Sequence, residues 1–365
     1  MISGINGFSR ILSFIIFLNK IKIKYGLIGI IIPVLLAVII GGIIIYISGK
    51  DPFIVYSILI SNTLGNSYGI GQVLFKATPL IFTGLSVAFA FRAGLFNIGA
   101  EGQMNIGAFA IAWIGFSFQS LPWFVLIPAS ILAGFIAGAL WGSIAGILKA
   151  RFGSHEVINT IMLNFISLAI VSYLVNEVYP VPATIHSPEI SPNAYLQRFD
   201  LFTGLFKGSP FNLSIIISVI ACFVMYFIIK KTPLGFKIKT TGLNINAAHY
   251  AKMNVKRILL LSMAISGGFA GMAGLNFVNG YKHYFELGFS EGAGYIGIAV
   301  ALMAKNNPWG IIAVAIFFGI LEYGGLTINT MVPKEIITMI QALIIIFVII
   351  TSKFMDMKIL KNKTM

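Results

Sequence analysis

Long apolar runs, joined by short polar connections, make up more than half of this sequence. Seven of the ten runs contain no charged residue. Only 10% of all residues are charged and 58% are hydrophobic, which leaves too few polar side chains to cover a soluble domain. A soluble enzyme and a disordered chain are therefore excluded, and the pattern predicts an all-α, polytopic membrane protein. The runs cover residues 27–47, 77–91, 95–118, 123–148, 157–179, 211–229, 258–279, 292–304, 309–325 and 336–352.

Two of the runs, 77–91 and 292–304, are shorter than the ~20 residues that a straight span requires, and both adjoin glycine-rich connections. They predict broken or partial helices within a set of about ten transmembrane helices. Residues 1–26 place basic residues around a short apolar stretch, which predicts an amphipathic arm on the cytoplasmic surface. We expect one transmembrane domain at residues 27–355, with halves at about 27–179 and 211–352, and a cytoplasmic tail at 356–365.

The basic residues are unevenly distributed between the two sides of the membrane. Ten spans place both termini on one side, and if that side is the cytoplasm, 19 of the 25 lysines and arginines lie inside. This positive-inside bias accounts for the net charge of +14 without any nucleic-acid partner. It predicts cytoplasmic N- and C-termini and makes residues 180–210 the largest outer loop.

Three short motifs occur twice in the same order. Their second copies belong to runs five places further along, and an odd offset reverses the direction in the bilayer. The sequence therefore predicts an inverted five-plus-five repeat, which places a substrate pathway at the repeat interface near the midplane. The pairs are Ala-x-x-Ala-Gly-Leu at 90–95 and 270–275, Glu-Gly-x-x-x-Ile-Gly at 101–107 and 291–297, and Pro-Trp at 122–123 and 308–309.

The strongest polar signal begins where the second run closes on Arg92. Asn97, Glu101, Gln103 and Asn105 then follow in a segment that must approach the membrane. Such groups cost a few kcal/mol each at depth unless they are paired or face water. We predict that the last four line a substrate pathway. The alternative is structural: Arg92 reaches the cytoplasmic edge, and Glu101 pairs with it or with a helix N-terminus.

Other polar and small residues extend this prediction. Glu291 and Tyr295 join the pathway as repeat partners of Glu101 and Asn105. Asn159 and Asn164, within an apolar run, are expected to bridge helices by hydrogen bonds rather than to contact substrate. A stripe of small residues at a spacing of four predicts close helix packing, as does a second glycine group at 267–274. The stripe consists of Gly134, Gly138, Gly142 and Gly146.

No enzyme signature is present in the chain. It lacks a phosphate-binding loop of the G-x-x-x-x-G-K-[ST] type and an H-E-x-x-H motif. Its four histidines are scattered and Cys222 is its one cysteine, so we expect neither a disulfide nor a metal site. We predict no catalytic residues and no cofactor in this chain, and any ATP hydrolysis must take place in another subunit.

Residues 230–257 form the longest and most basic inside loop. Within it, small residues and one tyrosine predict a short helix with a small-residue face. A plain solvated loop is one interpretation. The other is a coupling helix that seats in a groove of a cytoplasmic ATPase, with the tyrosine as an aromatic anchor. The residues concerned are Gly242, Asn244, Ala247, Ala248, Tyr250 and Ala251.

The string T-G-L-S-V-A-F-A-F-R-A-G-L-F-N-I-G and the A-E-G-Q block that follows resemble the permease subunits of bacterial ABC importers. Within the branched-chain amino acid and simple-sugar superfamily, the chain is most similar to the larger permease of nucleoside importers, over about residues 25–355. The 242–252 segment is similar to the family's coupling motif G-x-N-x-x-A-A-x-Y-A-G, with Lys252 in place of the last glycine.

The resemblance implies a permease subunit that forms the pathway for nucleosides across the bacterial cytoplasmic (inner) membrane, with Phe91 able to stack on a base. The implied partners are a cytoplasmic ATP-binding subunit that uses ATP and Mg, a second homologous permease and an extracytoplasmic substrate-binding lipoprotein. Permeases for simple sugars such as ribose or galactose, or for branched-chain amino acids, remain alternatives. So does an ion-coupled secondary transporter, to which an inverted repeat points equally.

Overall fold

A computed structural model describes residue 32 and residues 34–361 of the chain. The predicted N-terminal arm, residues 1–26, lies outside the described residues. The described part is helical, and its only extended pairings are isolated bridges such as His186 with Glu286. The expected all-α class is therefore confirmed. The helices are α1 (Val34–Ile47), α2 (Pro52–Leu64), α3 (Ser67–Arg92), α4 (Ala100–Ser117), α5 (Trp123–Phe152), α6 (Glu156–Tyr173), α7 (Phe199–Thr203), α8 (Ser214–Lys231), α9 (Pro233–Leu243), α10 (Ile245–Tyr250), α11 (Val255–Gly271), α12 (Gly274–Phe277), α13 (Ala293–Met303), α14 (Pro308–Thr327) and α15 (Lys334–Lys361).

Seven helical spans in the described part are long and apolar enough to cross a membrane. The count becomes eight if the bent pair α1 and α2 forms one span. Two of the spans include π-helical turns, at Leu174–Val178 after α6 and at Val278–Lys282 after α12. The finer expectation of about ten spans stays a prediction, and so does the inverted repeat.

The two runs expected to form short helices behave differently. Run 77–91 is only the second part of α3, a helix of 26 residues, so the expectation of a short helix there is wrong. The Asn66 side chain caps the helix by accepting from the Gly69 N–H at 2.7 Å, and Pro79 lies inside it without ending it. Run 292–304 does form a short helix, the 11-residue α13.

The chain divides into two compact units. Among the described residues, the first comprises residue 32 and residues 34–57 and 328–361, and in it Gly41 of α1 lies against Ile340 of α15. The Tyr56 hydroxyl donates to the carbonyl of Val38 at 2.8 Å in the same unit. The second unit, residues 58–327, contains the rest of the helices and the candidate site.

Within the second unit, α3 and α11 are the most deeply buried helices, whereas α5 and α6 expose many apolar side chains. α11 packs mainly on α5, and α3 packs mainly on α14 and α13. The predicted glycine stripe is the α5 side of the α5–α11 contact. A β-carbon on Gly138 would lie 2.9 Å from the Cα of Gly271, so only glycine allows this approach.

Candidate functional site

Helix α3 ends at a glycine that turns the backbone sharply. Gly94 has φ +74°, a conformation that glycine adopts without strain, and the Leu95 N–H closes the turn on the carbonyl of Ala90 at 3.1 Å. Residues 93–99, here called the junction, then lead to α4 without helical structure. Asn97, at its centre, is fully buried. The junction therefore needs polar partners inside the protein.

Those partners form a closed cluster of four side chains, here called the polar seam: Ser86, Asn97, Gln103 and Ser266. The Asn97 amide donates to Gln103 Oε1 and to Ser266 Oγ, both at 2.8 Å, and the Ser86 and Ser266 hydroxyls lie 3.1 Å apart. Asn97 Oδ1 accepts from the Gly99 N–H at 2.9 Å. The seam joins the junction, α4 and α11, and all four side chains are buried.

Glu101 connects α4 to the start of α13. Its side chain is buried, with 9% exposed, and its carboxylate accepts the Ser290 hydroxyl and, at 2.8 Å, the Gly294 N–H in the first turn of α13. A carboxylate at this position satisfies a free backbone donor and is stabilised by the helix dipole. The structural alternative for Glu101 is a pairing with Arg92 or with a helix N-terminus, and the contact with Gly294 is of the second kind. Arg92 is placed elsewhere and donates to the Asn306 carbonyl at 2.6 Å.

Asn164 ties Tyr295 to the same region. Its amide donates to the Ile98 carbonyl at 3.0 Å and to the Tyr295 hydroxyl at 3.2 Å, and its oxygen accepts the Gly102 N–H at 2.9 Å. The expectation of a helix bridge is confirmed for Asn164 and wrong for Asn159, whose amide donates to Ser154, just before the start of its own helix, at 2.6 Å. Tyr295, half-exposed on α13, is thereby linked to the junction and to α4.

The remaining predicted pathway residues have three different surroundings. Glu291 is half-exposed beside the start of α13 and pairs with Lys76 at 3.0 Å. Asn105 is only 7% exposed, and its amide has no hydrogen-bond partner among the described residues. Phe91 packs against Phe96 of the junction, with ring centroids 5.1 Å apart. No cluster of three or more His, Cys, Asp or Glu that could hold a metal is found in the described part of the chain.

Sequence reasoning missed Ser86 and Ser266, although a signal for them exists. They are 180 residues apart, the same offset that relates the repeated Ala-x-x-Ala-Gly-Leu motifs. Phe89 and Phe269 share that offset and also contact each other, with ring centroids 5.9 Å apart. Extending the repeat four residues towards the N-terminus would have found both pairs.

The basic inside loop contains two short helices, α9 and α10. Asn244 caps α10 by accepting the Ala247 N–H at 3.1 Å, and Ala248 is buried beneath the helix. Tyr250 is 90% exposed at its end, as an anchor for another surface would be. Ala251 follows, and Lys252 has φ +54°, which explains why glycine suits that position.

The α9–α10 segment lies directly on the junction. A β-carbon on Gly242 would come within 2.8 Å of the Gly94 nitrogen, so the two backbones touch at glycines. A groove of about 310 Å³ runs beside this contact, lined by both segments and by Lys149 and Glu156, which form an ion pair at 2.8 Å. The α9–α10 segment and the junction are therefore in direct backbone contact at Gly242 and Gly94.

Comparison with known proteins identifies the family. The family described as branched-chain amino acid transport system / permease component matches residues 69–349, and the chain belongs to it. The guanosine ABC transporter permease protein NupP of Bacillus subtilis is 37% identical over 87% of this chain and 91% of its own length. The nucleoside ABC transporter permease protein NupB of Lactococcus lactis is 37% identical over 87% of this chain and 89% of its own.

The glucose ABC transporter permease protein TsgB13 of Haloferax volcanii is 32% identical over 89% of this chain and 87% of its own length. No solved structure matches the chain significantly. Family membership and the seven apolar spans together make this chain a multi-pass membrane permease of the ABC transporter type.

Proposed function

We propose that this chain forms the translocation pathway for nucleosides in an ATP-driven importer. The observation that carries the proposal is the 37% identity, over most of both chains, to permeases named for guanosine and for nucleosides. The chemistry of the site agrees with an uncharged, hydrogen-bonding substrate. The polar seam consists of amides and hydroxyls, and the buried carboxylate of Glu101 is already bound to α13.

The pathway is proposed to follow the junction and the start of α13. Its residues are Phe91, Asn97, Glu101, Gln103, Asn105, Glu291 and Tyr295. Asn97 and Gln103 are bonded to each other, so they meet substrate only when the junction opens. The Asn105 amide has no such partner, which supports a role for it in binding substrate.

The proposed opening is a rocking of two inverted halves. Support comes from contacts between repeat-equivalent residues: Ser86 with Ser266 and Phe89 with Phe269, as expected beside a two-fold axis. The packing partners follow the same rule, since α11 packs on α5 and α4 while α3 packs on α14 and α13. Such an arrangement supports alternating access around a midplane site.

The energy for this rocking is proposed to come from a separate ATP-binding subunit, which uses ATP and Mg. That subunit docks on α10, where Tyr250 of this chain anchors it. Gly242 passes the motion to Gly94 and hence to the junction. A second homologous permease and an extracytoplasmic substrate-binding lipoprotein complete the importer. The positive-inside bias supports a bacterial cytoplasmic membrane location with both termini inside.

Substrate class is tested by competition. We expect unlabelled guanosine or uridine to abolish uptake of labelled uridine in cells that depend on this chain, whereas ribose, glucose and leucine leave it unchanged. The relative named for glucose makes a sugar permease the second candidate. Competition by glucose or ribose without competition by guanosine would replace the nucleoside assignment with that one.

The pathway residues are tested at Asn105. Asn105→Ala removes an amide with no internal partner, so we expect a KM for uptake raised about ten-fold at unchanged protein level, the loss of about one hydrogen bond. Asn176→Ala, an exposed asparagine bonded only to Ser172, is the matched control. Equal uptake kinetics in the two variants would remove Asn105 from the pathway.

A further inference from the structure

A cavity of about 500 Å³ lies between the ends of α3 and α8 and the connection from α13 to α14. Three of its lining residues are the cations Arg92, Lys230 and Lys305, and none of the lining residues in the described part of the chain is acidic. Concentrated positive charge without a counter-ion is costly unless an anion binds there.

The cavity is held in shape by its backbone. Lys305 and Asn306 are consecutive residues with left-handed φ angles, +52° and +55°, and their turn presents the carbonyl that Arg92 binds. That bond uses only one nitrogen of the guanidinium. The buried Arg92 Nε has no hydrogen-bond partner in the described structure, so the arginine is oriented and retains a free donor.

A fourth cation adds to this field. Burial and the neighbouring Lys230 and Arg92 lower the pKa of Lys239 on α9, which places this lysine close enough to both to repel them. The cavity is therefore lined by three basic groups, from α3, α8 and the α13–α14 connection, and Lys239 of α9 adds to the positive field from outside the lining.

The remaining wall faces a membrane. Tyr226 and Trp309 line the cavity as an aromatic pair with centroids 6.3 Å apart, and Trp309 is exposed. Phe223 and Phe227 continue from Tyr226 along the exposed apolar face of α8. Tyrosine and tryptophan favour the boundary between headgroups and acyl chains. Because basic groups line the cavity and apolar side chains lie beside it, a ligand that fits it has a negatively charged head and an apolar tail.

We propose that this cavity binds the phosphate headgroup of an anionic phospholipid, with its acyl chains along α8. Basic pockets between membrane helices on the cytoplasmic side suit such headgroups. Arg92 supplies the oriented donor, and Lys230 and Lys305 supply charge from either side. A bound lipid would bridge α8 to the α13–α14 connection, which is otherwise held near Arg92 by a single side-chain bond.

The test measures lipid binding to the purified full chain by native mass spectrometry during titration with phosphatidylglycerol or phosphatidylcholine. We expect preferential binding of phosphatidylglycerol. The double variant K230Q/K305Q should weaken it about 25-fold, or about five-fold per lysine. The matched control K231Q/K237Q removes two exposed lysines that do not line the cavity and should change affinity less than two-fold.

Four outcomes would overturn the proposal. Equally weakened phosphatidylglycerol binding in the two double variants would show a general effect of charge. Equal affinity for phosphatidylglycerol and phosphatidylcholine would show that the cavity does not select the headgroup by its charge. Inorganic phosphate displacing the lipid at matched concentration would indicate a soluble anion site. Unchanged lipid binding in K230Q/K305Q with weaker binding of the ATP-binding subunit would assign the cavity to an acidic surface of that partner.

Discussion

The two arms that contain the repeated motifs share residues but end their helices differently. In the first arm, Gly94 turns the chain through φ +74° directly after α3. In the second arm α11 ends at Gly271, but after a two-residue turn the matching Gly274 starts α12, and the same span continues to Lys282. Gly94 lies against Gly242 of the inside loop, whereas Gly274 lies against Ala108 of α4. Tertiary contacts, more than local residues, decide where each arm breaks.

The two repeat-equivalent glutamates show the same divergence. Glu101 stands at the start of α4 and Glu291 just before α13, but Glu101 is buried and binds α13, while Glu291 is half-exposed and pairs with Lys76. The glutamate of the first arm therefore makes buried hydrogen bonds to the second arm, whereas the glutamate of the second arm makes a half-exposed ion pair. A matched substitution at equivalent positions should have unequal effects.

The largest inequality is expected at Gly138 and its repeat equivalent Gly324. A β-carbon on Gly138 would meet the Cα and nitrogen of Gly271 at 2.9 and 3.0 Å, and backbone cannot move aside. Gly138→Ala should destabilise the protein by about 3 kcal/mol. Gly324→Ala meets only the Leu59 side chain, and should cost less than about 1 kcal/mol because a leucine can change rotamer.

Reversible unfolding in mixed micelles measures both variants. Equal destabilisation would mean that the α5–α11 contact at Gly138 and the α14–α2 contact at Gly324 are packed alike, contrary to the distances given above.

An intermediate difference in stability is expected between the alanine variants of Glu101 and Glu291. Glu101→Ala removes two buried hydrogen bonds and the cap of α13, which should cost about 2 kcal/mol. Glu291→Ala removes a solvent-screened ion pair and should cost about 1 kcal/mol or less. The same unfolding assay measures both variants. A larger loss of stability in Glu291→Ala than in Glu101→Ala would contradict the conclusion that Glu101 makes the stronger, buried contacts.

The smallest difference in stability is expected between alanine variants of Gly94 and Gly153. Gly94→Ala should cost about 1 kcal/mol, because an alanine at φ +74° is strained. Gly153→Ala is the matched control, since Gly153 has φ +67° and nothing within 4 Å. Both variants should lose similar stability. Only Gly94→Ala, whose β-carbon would lie 3.2 Å from the Cα of Gly242, should also reduce ATP-driven uptake. Equal uptake by the two variants would show that the contact between the α9–α10 segment and the junction does not transmit the motion.

Much of this architecture could be predicted from residue spacing. The all-α class, the short α13, the close packing of α5 and the bridging role of Asn164 all follow from apolar run length, glycine period and the cost of a buried amide. These features depend on local pattern. The prediction for run 77–91 was wrong because the polar residues before Lys76 resemble a connection, while packing on other helices makes them part of α3.

The closed state of the polar seam could not be predicted from local pattern. Asn97 and Ser266 are 169 residues apart, and sequence alone does not tell whether a membrane amide meets substrate or another side chain. The same holds for the contact of Gly242 with Gly94, which only the fold brings together.

Uptake by reconstituted vesicles tests the central claim most directly. The chain is reconstituted with the proposed partners, which are a second permease, an ATP-binding subunit and a substrate-binding lipoprotein. Labelled guanosine uptake is then measured with internal or external ATP, with vanadate, and with Tyr250→Ala. We expect accumulation that requires ATP, is blocked by vanadate and falls at least ten-fold in Tyr250→Ala. Accumulation by this chain alone, driven by an ion gradient and unaffected by vanadate, would contradict the proposed function.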